Sequence, residues 1–171
     1  MRLLVASDLH GSPEAAAFLR RRCEELLPDM LVLLGDYLYH GPRNPLPSSY
    51  GPPSVVSVFA DFDTPIVAVR GNCDAYSRSD AEENLLFNAD GVRIFMTHGH
   101  RYNVKLGYES LANAAHFSGA QLALFGHTHR PLLEEDSGVW YMNPGAARSG
   151  RYGVIEITDG TFTCELKELP E

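Results

Sequence analysis

Five short polar clusters contain side chains that could bind metal ions. They are Asp8-Leu9-His10, Gly35-Asp36, Gly71-Asn72-Cys73-Asp74, His98-Gly99-His100 and Gly126-His127-Thr128-His129. Carboxylate oxygens, amide oxygens and neutral imidazole nitrogens all bind divalent cations, and a carboxylate has two oxygens with which to bridge a pair of them. In the first and last clusters the candidate ligands are two residues apart, so an extended backbone would direct both to the same side. The set therefore indicates a site for two metal ions.

Each cluster taken alone also has a purely structural explanation. The carboxylates of Asp8 and Asp36 could cap loops, and Asn72 could be a turn residue that tolerates unusual backbone angles. His127 and His129 could be partly exposed loop histidines. In the fourth cluster, either of the two histidines could be the ligand. Metal binding is favoured by the whole set, because every cluster follows a short apolar segment.

These apolar segments predict buried strands. They cover residues 3–6, 31–34, 66–69, 94–96 and 122–125, and they are short and nearly all apolar. In α/β proteins such strands bring the loops at their carboxyl ends to one edge, where functional sites are usually found. The five clusters are therefore expected to lie together.

The rest of the chain changes from alternating strands and helices to strands alone. Helices are predicted over residues 13–27, 54–62 and 106–117, with Ser12 as the N-cap of the first. Residues 85–88 and 92–97 predict a hairpin, and further strands are predicted at 131–135, 139–142, 152–158 and 162–167. Five prolines between residues 41 and 53 predict an irregular loop, and a long loop within a domain is often functional.

Composition limits the classes of protein that the chain can belong to. Its 171 residues are expected to form a single domain, residues 1–171. A net charge of −8 argues against strong nucleic-acid binding, although bound metals would still allow a small anionic substrate. The sequence contains neither a signal-peptide pattern nor an apolar run long enough to span a membrane, and its three cysteines have no CxxC spacing. We therefore expect a cytoplasmic protein without membrane association.

The order of the clusters resembles the signature of the calcineurin-like metallophosphoesterases over most of the chain. Asn72-Cys73-Asp74 and the segment from His40 to Asn44 further resemble the small bacterial phosphodiesterases of the YfcE type. The resemblance implies an α/β fold, a sandwich of two mixed sheets with helices on the outside. It also implies that Asp8, His10 and His129 bind one metal ion, that Asn72, His98 and His127 bind the other, and that Asp36 bridges them.

The implied activity is that of a metal-dependent phosphodiesterase acting on small phosphodiesters. Two cations about 3.5 to 4 Å apart can generate a bridging hydroxide for in-line attack on phosphorus. A ligand set of oxygen and imidazole fits Mn²⁺ as first choice, with Ni²⁺, Fe, Co²⁺ or Zn²⁺ as alternatives. Asn72, Cys73 and Asp74 are the candidate catalytic residues, and Asp74 is expected to orient a histidine ligand or a loop amide.

Cys73 departs from the family pattern, because most members carry at this position a histidine thought to protonate the leaving group. A thiol is a poorer acid for an alkoxide, so we expect diesters or esters with acidic leaving groups to be preferred over alkyl monoesters. The alternative is that Cys73 is a buried and chemically inert residue.

Arg43 and Asn44 are candidate substrate-binding residues in the proline-rich loop. The planar guanidinium of Arg43 suits a phosphate, although the side chain could equally be an exposed one on a solvated loop. Two other functions remain open: a non-catalytic interaction scaffold, as in the retromer subunit of the same superfamily, and a metal-dependent nuclease. Whether the chain forms a homo-oligomer is also left open.

Overall fold

Two five-stranded sheets form the framework of the computed structural model, which describes residues 1–74 and 80–169. Five strands belong to the first sheet: β1 (Arg2–Ala6), β2 (Met30–Leu33), β3 (Ile66–Ala68), β9 (Arg151–Thr158) and β10 (Thr161–Glu168). Five belong to the second: β4 (Asn84–Ala89), β5 (Val92–Thr97), β6 (Leu122–Leu124), β7 (Leu132–Asp136) and β8 (Val139–Asn143). Both sheets combine parallel and antiparallel pairs.

The strand order brings the candidate clusters to one edge of the sandwich. The first sheet has the order β10-β9-β1-β2-β3, in which β1, β2 and β3 are parallel neighbours. The second has the order β4-β5-β6-β8-β7, in which β5 and β6 are parallel. Each of these five strands is followed by one of the polar clusters, so the loops at their carboxyl ends are neighbours.

Alternation along the strands separates the core into layers. In β1, Leu3 and Val5 pack between the two sheets, whereas Leu4 and Ala6 face the helices on the outer side. The layer between the sheets also contains Met96 and Leu124 of the second sheet. From Leu3 to Ala6 the strand is therefore buried on both faces, which explains why these four residues are all apolar. The predicted α/β sandwich of two mixed sheets is confirmed.

Within the described ranges, three α-helices cover the outer faces: α1 (Pro13–Leu26), α2 (Pro52–Ala60) and α3 (Glu109–Ser118). As predicted, Ser12 caps α1, and its side chain accepts a hydrogen bond from the backbone N–H of Ala15. The second helix begins two residues earlier than predicted, because proline is well suited to a first helical turn. No helix in the described part of the chain combines the length and apolarity needed to cross a membrane.

Strand β3 is less buried than the sequence predicts. Its first residue, Ile66, is 42% exposed, because β3 lies at the edge of its sheet and has a neighbour on one side only. The predicted hairpin is confirmed, with β4 and β5 joined by Asp90 and Gly91, both at positive φ. The proline-rich segment between β2 and α2 contains neither helix nor strand, as predicted.

Candidate metal centre

The first group of candidate ligands consists of Asp8, His10 and His129. The Nε2 atoms of His10 and His129 lie 3.4 and 3.0 Å from Asp8 Oδ1, and the two nitrogens are 3.2 Å apart. Asp8 and His10 follow β1 in the first sheet, whereas His129 follows β6 in the second. The group therefore joins the two halves of the sandwich and places three potential ligand atoms around one point.

A second group consists of Asp36, His98 and His127. Asp36 Oδ2 lies 3.4 Å from His98 Nε2, and His98 Nε2 lies 3.2 Å from His127 Nδ1. The same Asp36 oxygen lies 3.8 Å from His10 Nε2, which belongs to the first group. Asp36 is thus located between the two groups, where a bridging carboxylate would have to be.

Most of these residues have an unusual backbone. Asp8, His10, Asp36, His127 and His129 all have φ between 50° and 66°, in the left-handed region. The expectation that an extended backbone aligns the paired ligands is therefore wrong, although their side chains do converge. Left-handed non-glycine residues cost about 1 to 3 kcal/mol each and persist only where the surrounding structure enforces them. Such strain is typical of functional sites.

Backbone carbonyls fix the orientation of two histidine rings. His10 Nδ1 donates to the carbonyl of Tyr39 at 3.1 Å, and His98 Nδ1 donates to the carbonyl of Leu34 at 2.7 Å. Each ring therefore carries a proton on Nδ1, and Nε2, which lies beside a carboxylate, is the nitrogen that can bind a cation once it has lost its own proton. This arrangement is usual for histidine ligands of metal ions.

The two oxygens of Asp8 have different surroundings. Oδ2 accepts hydrogen bonds from Ser7 Oγ at 2.7 Å and from the His127 backbone N–H at 3.1 Å. Oδ1 is buried, accepts no hydrogen bond from the residues that the structure describes and faces the two imidazole nitrogens of its group. A buried carboxylate oxygen without a donor is costly, and a cation between it and the imidazoles would satisfy all three atoms. The residues therefore fit a divalent metal ion.

The charges within the site shift the pKa values of Asp8, His98 and His127. Burial raises the pKa of Asp8, but the nearby His10 and His129 outweigh this effect and hold it well below its usual range. Burial lowers the pKa of His98, but Asp36 more than compensates and raises it to about 9. Burial, together with the positive charges of His98 and Lys105, lowers the pKa of His127 to about 3.

Asp74 holds two of the loops together. Its Oδ2 accepts hydrogen bonds from the backbone N–H groups of Asp36 and Gly71, and its Oδ1 accepts one from Tyr37. The Cys73 N–H donates in turn to Asp36 Oδ1 at 2.8 Å. Asp74 thus orients loop amides, one of the two roles predicted for it, and positions the Asp36 carboxylate.

A cavity of about 260 Å³ opens beside the two groups and contains the remaining predicted residues. Arg43, Asn44, Asn72 and Cys73 all line it, together with Asp36, His127 and His129. Arg43 is exposed on the loop, and Asn44 Nδ2 donates to the carbonyl of His40 and lies 3.4 Å from His10 Nε2. The structure thus places both loop residues beside the candidate ligands.

Asn72 and Cys73 differ in exposure. Asn72 is exposed, and its side-chain amide donates to the Cys73 sulfur at 3.3 Å. Cys73 is buried, and burial together with the Asp36 carboxylate raises the pKa of its thiol to about 12. Cys73 is therefore a thiol, not a thiolate, at neutral pH. Whether Asn72, Cys73 and Asp74 take part in catalysis stays a prediction.

The two histidines of the fourth cluster differ in burial and in their distance from the candidate ligands. His98 is fully buried and lies among the candidate ligands, whereas His100 is partly exposed and its Nδ1 has no hydrogen-bond partner in the described part of the chain. The His100 ring lies 5.5 Å from that of His98 and belongs to neither group. The geometry therefore favours His98 as the ligand.

Sequence reasoning missed three residues around the site. Ser7 and Asn143 are buried and position its loops, because Ser7 binds Asp8 and Asn143 Nδ2 donates to the carbonyl of Gly126 and to Thr128 Oγ1. The Asn143-Pro144 pair is a turn signal that could have drawn attention to Asn143. Lys105 lines the cavity from the loop before α3, and nothing in the sequence near it indicated this position.

This combination of a two-sheet sandwich and clustered aspartates and histidines defines a metallophosphoesterase. Residues 1–164 match the model of the calcineurin-like phosphoesterase superfamily domain, and the chain belongs to this family. The prediction of a metal-dependent hydrolase acting on phosphoric esters is thereby confirmed.

Individual relatives agree with this assignment. Phosphodiesterase YfcE of Escherichia coli K12 is 33% identical over 156 residues, covering 85% of this chain and 79% of YfcE. The solved structure of that phosphoesterase has a TM-score of 0.73 at 31% identity and covers 91% of this chain and 88% of its own. The probable metallophosphoesterase YsnB of Bacillus subtilis is 29% identical over 95% of this chain and 88% of its own length. The predicted resemblance to the YfcE type is confirmed.

The fold is shared more widely than the sequence. A zinc complex of Vps29 from Entamoeba histolytica has a TM-score of 0.71, covering 98% of this chain and 99% of Vps29, at only 19% identity. At this level of identity the match concerns the fold alone.

Proposed function

We propose that this metallophosphoesterase hydrolyses small phosphodiesters with the help of two divalent metal ions. The observation that carries the proposal is the position of Asp36, whose carboxylate lies between the two groups of candidate ligands and lines a cavity together with Arg43. A pair of metal sites that share a carboxylate beside an open, positively charged cavity suits a phosphate ester.

The proposed ligands are those inferred from the family pattern. Asp8, His10 and His129 would hold one ion, Asn72, His98 and His127 the other, and Asp36 would bridge them. When bound, the ions would supply an activated water for in-line attack and would neutralise charge on the phosphate oxygens. Mn²⁺ is the proposed metal, because oxygen and imidazole ligands without thiolate suit it, with Ni²⁺, Fe, Co²⁺ or Zn²⁺ as alternatives.

The protein's own contribution is to position charge before substrate arrives. The carbonyls of Tyr39 and Leu34 hold the rings of His10 and His98, so little reorganisation accompanies metal binding. Arg43 can donate two parallel hydrogen bonds to a phosphate in the cavity, and Asn44 beside it can donate a further one.

Cys73 supports a preference for acidic leaving groups. It lines the cavity at the position where other family members are thought to use histidine, and a thiol is a weak acid for an alkoxide. The proposed substrates are therefore diesters or activated esters rather than alkyl monoesters.

Two other functions are less well supported. A scaffold would not need two groups of converging candidate ligands, and a nuclease would need an extended basic surface beyond the cavity, which a net charge of −8 does not favour. We propose a cytoplasmic enzyme, in keeping with its three free cysteines, and leave its oligomeric state open.

Hydrolysis of bis(p-nitrophenyl) phosphate tests the proposal directly. The chelator-treated protein is assayed alone and after addition of Mn²⁺, Ni²⁺, Co²⁺ or Zn²⁺. We expect metal-dependent hydrolysis that Asp36→Asn abolishes and that Asp63→Asn, a control at an exposed carboxylate in the loop before β3, retains. A metal-loaded protein that is inactive towards the diester would overturn the proposal in favour of a scaffold, and faster cleavage of single-stranded DNA would favour a nuclease.

A further inference from the structure

A second cavity adjoins the candidate metal centre. Its volume is about 310 Å³, and its lining residues are Val104, Lys105, Tyr108, Thr128 and Arg130. Lys105 also lines the first cavity, and Thr128 stands between His127 and His129 in the chain. The two cavities therefore form a continuous surface that is longer than a single phosphate group needs.

The charge of this surface is opposite to that of the protein. Arg43, Lys105 and Arg130 line the two cavities, whereas Asp36 is the single acidic residue among the described residues that line them. In a chain with a net charge of −8 this is a local reversal of sign. A surface of this kind attracts anions.

The basic side chains around the cavities have no ion-pair partner among the described residues. Seven basic side chains elsewhere form ion pairs with carboxylates: those of Arg2, Arg20, Arg22, Arg70, Arg101, Arg151 and Lys167. Arg43, Lys105 and Arg130 are exposed and form no ion pair with any residue in the ranges 1–74 and 80–169. Three basic side chains that do not line the two cavities also form no such ion pair: Arg21, Arg93 and Arg148. The charges of Arg43, Lys105 and Arg130 remain available to a ligand.

The second cavity has a well-defined frame. Thr128 Oγ1 accepts hydrogen bonds from the backbone N–H of Arg130 and from the side chain of buried Asn143. These bonds fix the backbone position of Arg130 next to His129. On the other side, the Tyr108 ring packs edge-on against Phe125 with 5.4 Å between ring centroids. The cavity thus combines two cations with an aromatic wall.

We propose that this second cavity binds a second phosphate group of the substrate, carried on the arm that remains attached to the scissile phosphodiester. Lys105 and Arg130 would hold that phosphate, and the ring of Tyr108 would contact the organic part between the two phosphates. The preferred substrates are then nucleotide-like diesters with an additional phosphate. This inference rests on the proposed phosphodiesterase function and specifies its substrate class.

A matched pair of substrates tests the proposal. The p-nitrophenyl ester of thymidine 5′-phosphate is compared with the same compound carrying a 3′-phosphate, and the ratio of their kcat/KM values is measured with the Mn²⁺-loaded protein. We expect the 3′-phosphate to raise kcat/KM by about tenfold or more, since hydrogen bonds to charged groups are among the strongest. Added salt should reduce the ratio.

Three variants locate the effect. Lys105→Gln and Arg130→Gln should each bring the ratio several-fold closer to one. The control is Arg93→Gln, which removes an exposed basic side chain, also without an ion pair in the described part of the chain, at the opposite end of β5. This variant should leave the ratio unchanged.

The outcomes separate the two proposals. A wild-type ratio near one, or a raised ratio that Lys105→Gln and Arg130→Gln leave intact, overturns the second-phosphate site while hydrolysis itself still supports a phosphodiesterase. Failure of the metal-loaded protein to hydrolyse either ester, or bis(p-nitrophenyl) phosphate, overturns the proposed function instead.

Discussion

Asp74 Oδ2 lies 2.7 Å from the backbone nitrogen of Asp36, and through this hydrogen bond one buried carboxylate positions another. The same oxygen accepts the N–H of Gly71, so the loops after β2 and β3 are held at one point. Asp74 itself belongs to neither group of candidate ligands. Its effect on the site must therefore act through the backbone of Asp36.

We expect Asp74→Asn to weaken metal binding without removing any ligand. The amide has one acceptor oxygen in place of two, so its NH₂ group would face a backbone N–H and leave a buried donor unsatisfied. This should cost about 1 to 3 kcal/mol of stability, and loss of such supporting contacts typically lowers metal affinity 10- to 100-fold. Urea unfolding and calorimetric titration with Mn²⁺ measure the two effects. Unchanged Mn²⁺ affinity would show that Asp74 does not position the site.

Two glycines offer a test of how closely the loops must approach. A Cβ atom added to Gly71 would lie 2.2 Å from Asp36 Oδ1 and 2.5 Å from its backbone nitrogen, whereas one added to Gly107 would have no atom of the described residues within 4 Å. Neither has a positive φ, so the comparison isolates the steric effect. We expect Gly71→Ala to lower stability by about 1 to 3 kcal/mol or more and to reduce metal affinity, and Gly107→Ala to stay within about 0.5 kcal/mol of wild type. Equal Tm values for the two variants would contradict this.

Much of this arrangement is predictable because buried strands have a clear pattern. Leu3 to Ala6 are apolar on both faces, which marks β1 and makes the polar residues after it conspicuous. The left-handed backbone of Asp8 and His10 is not predictable in the same way. Non-glycine residues adopt it only where tertiary contacts compensate the strain, and those contacts come from distant parts of the chain.

Features that depend on the order of strands in space are also hidden in the sequence. Ile66 looks like a core residue, but its strand lies at an edge, which local periodicity cannot reveal. Lys105 looks like an ordinary surface lysine, but the fold places it beside His127 at the cavity. Both positions follow from long-range packing rather than from local pattern.

The two histidines of the fourth cluster should respond differently to substitution. We expect His98→Asn to reduce metal-dependent hydrolysis of bis(p-nitrophenyl) phosphate by more than about 100-fold, because it removes the Nε2 atom that faces Asp36. His100→Asn should change the rate by less than about threefold, since His100 belongs to neither ligand group. Bound metal is measured by mass spectrometry alongside the rates. A greater loss of metal in His100→Asn than in His98→Asn would reverse the assignment.

Cys73 should matter little when the leaving group is acidic. We expect Cys73→Ala to change kcat for bis(p-nitrophenyl) phosphate by less than about threefold, because p-nitrophenolate departs without being protonated. Alkyl monoesters should be poor substrates of the wild type. A large loss with Cys73→Ala, or a wild-type preference for alkyl monoesters that Cys73→His weakens, would contradict this view of the leaving group.

Metal removal should destabilise the protein. Asp8 Oδ1 is buried and has no hydrogen-bond donor among the described residues, so a cation beside it would satisfy it in the folded state only. Binding at a free metal concentration 100 times Kd adds about 2.7 kcal/mol per site, which corresponds to a rise in Tm of about 5 to 10 °C for a chain of this size. Calorimetric scans of the chelated and Mn²⁺-loaded protein measure this shift. Asp36→Asn, which removes the proposed bridge, should abolish most of this rise in Tm, whereas Asp63→Asn should retain it. A wild-type Tm that does not respond to any divalent metal would contradict the proposed metal centre.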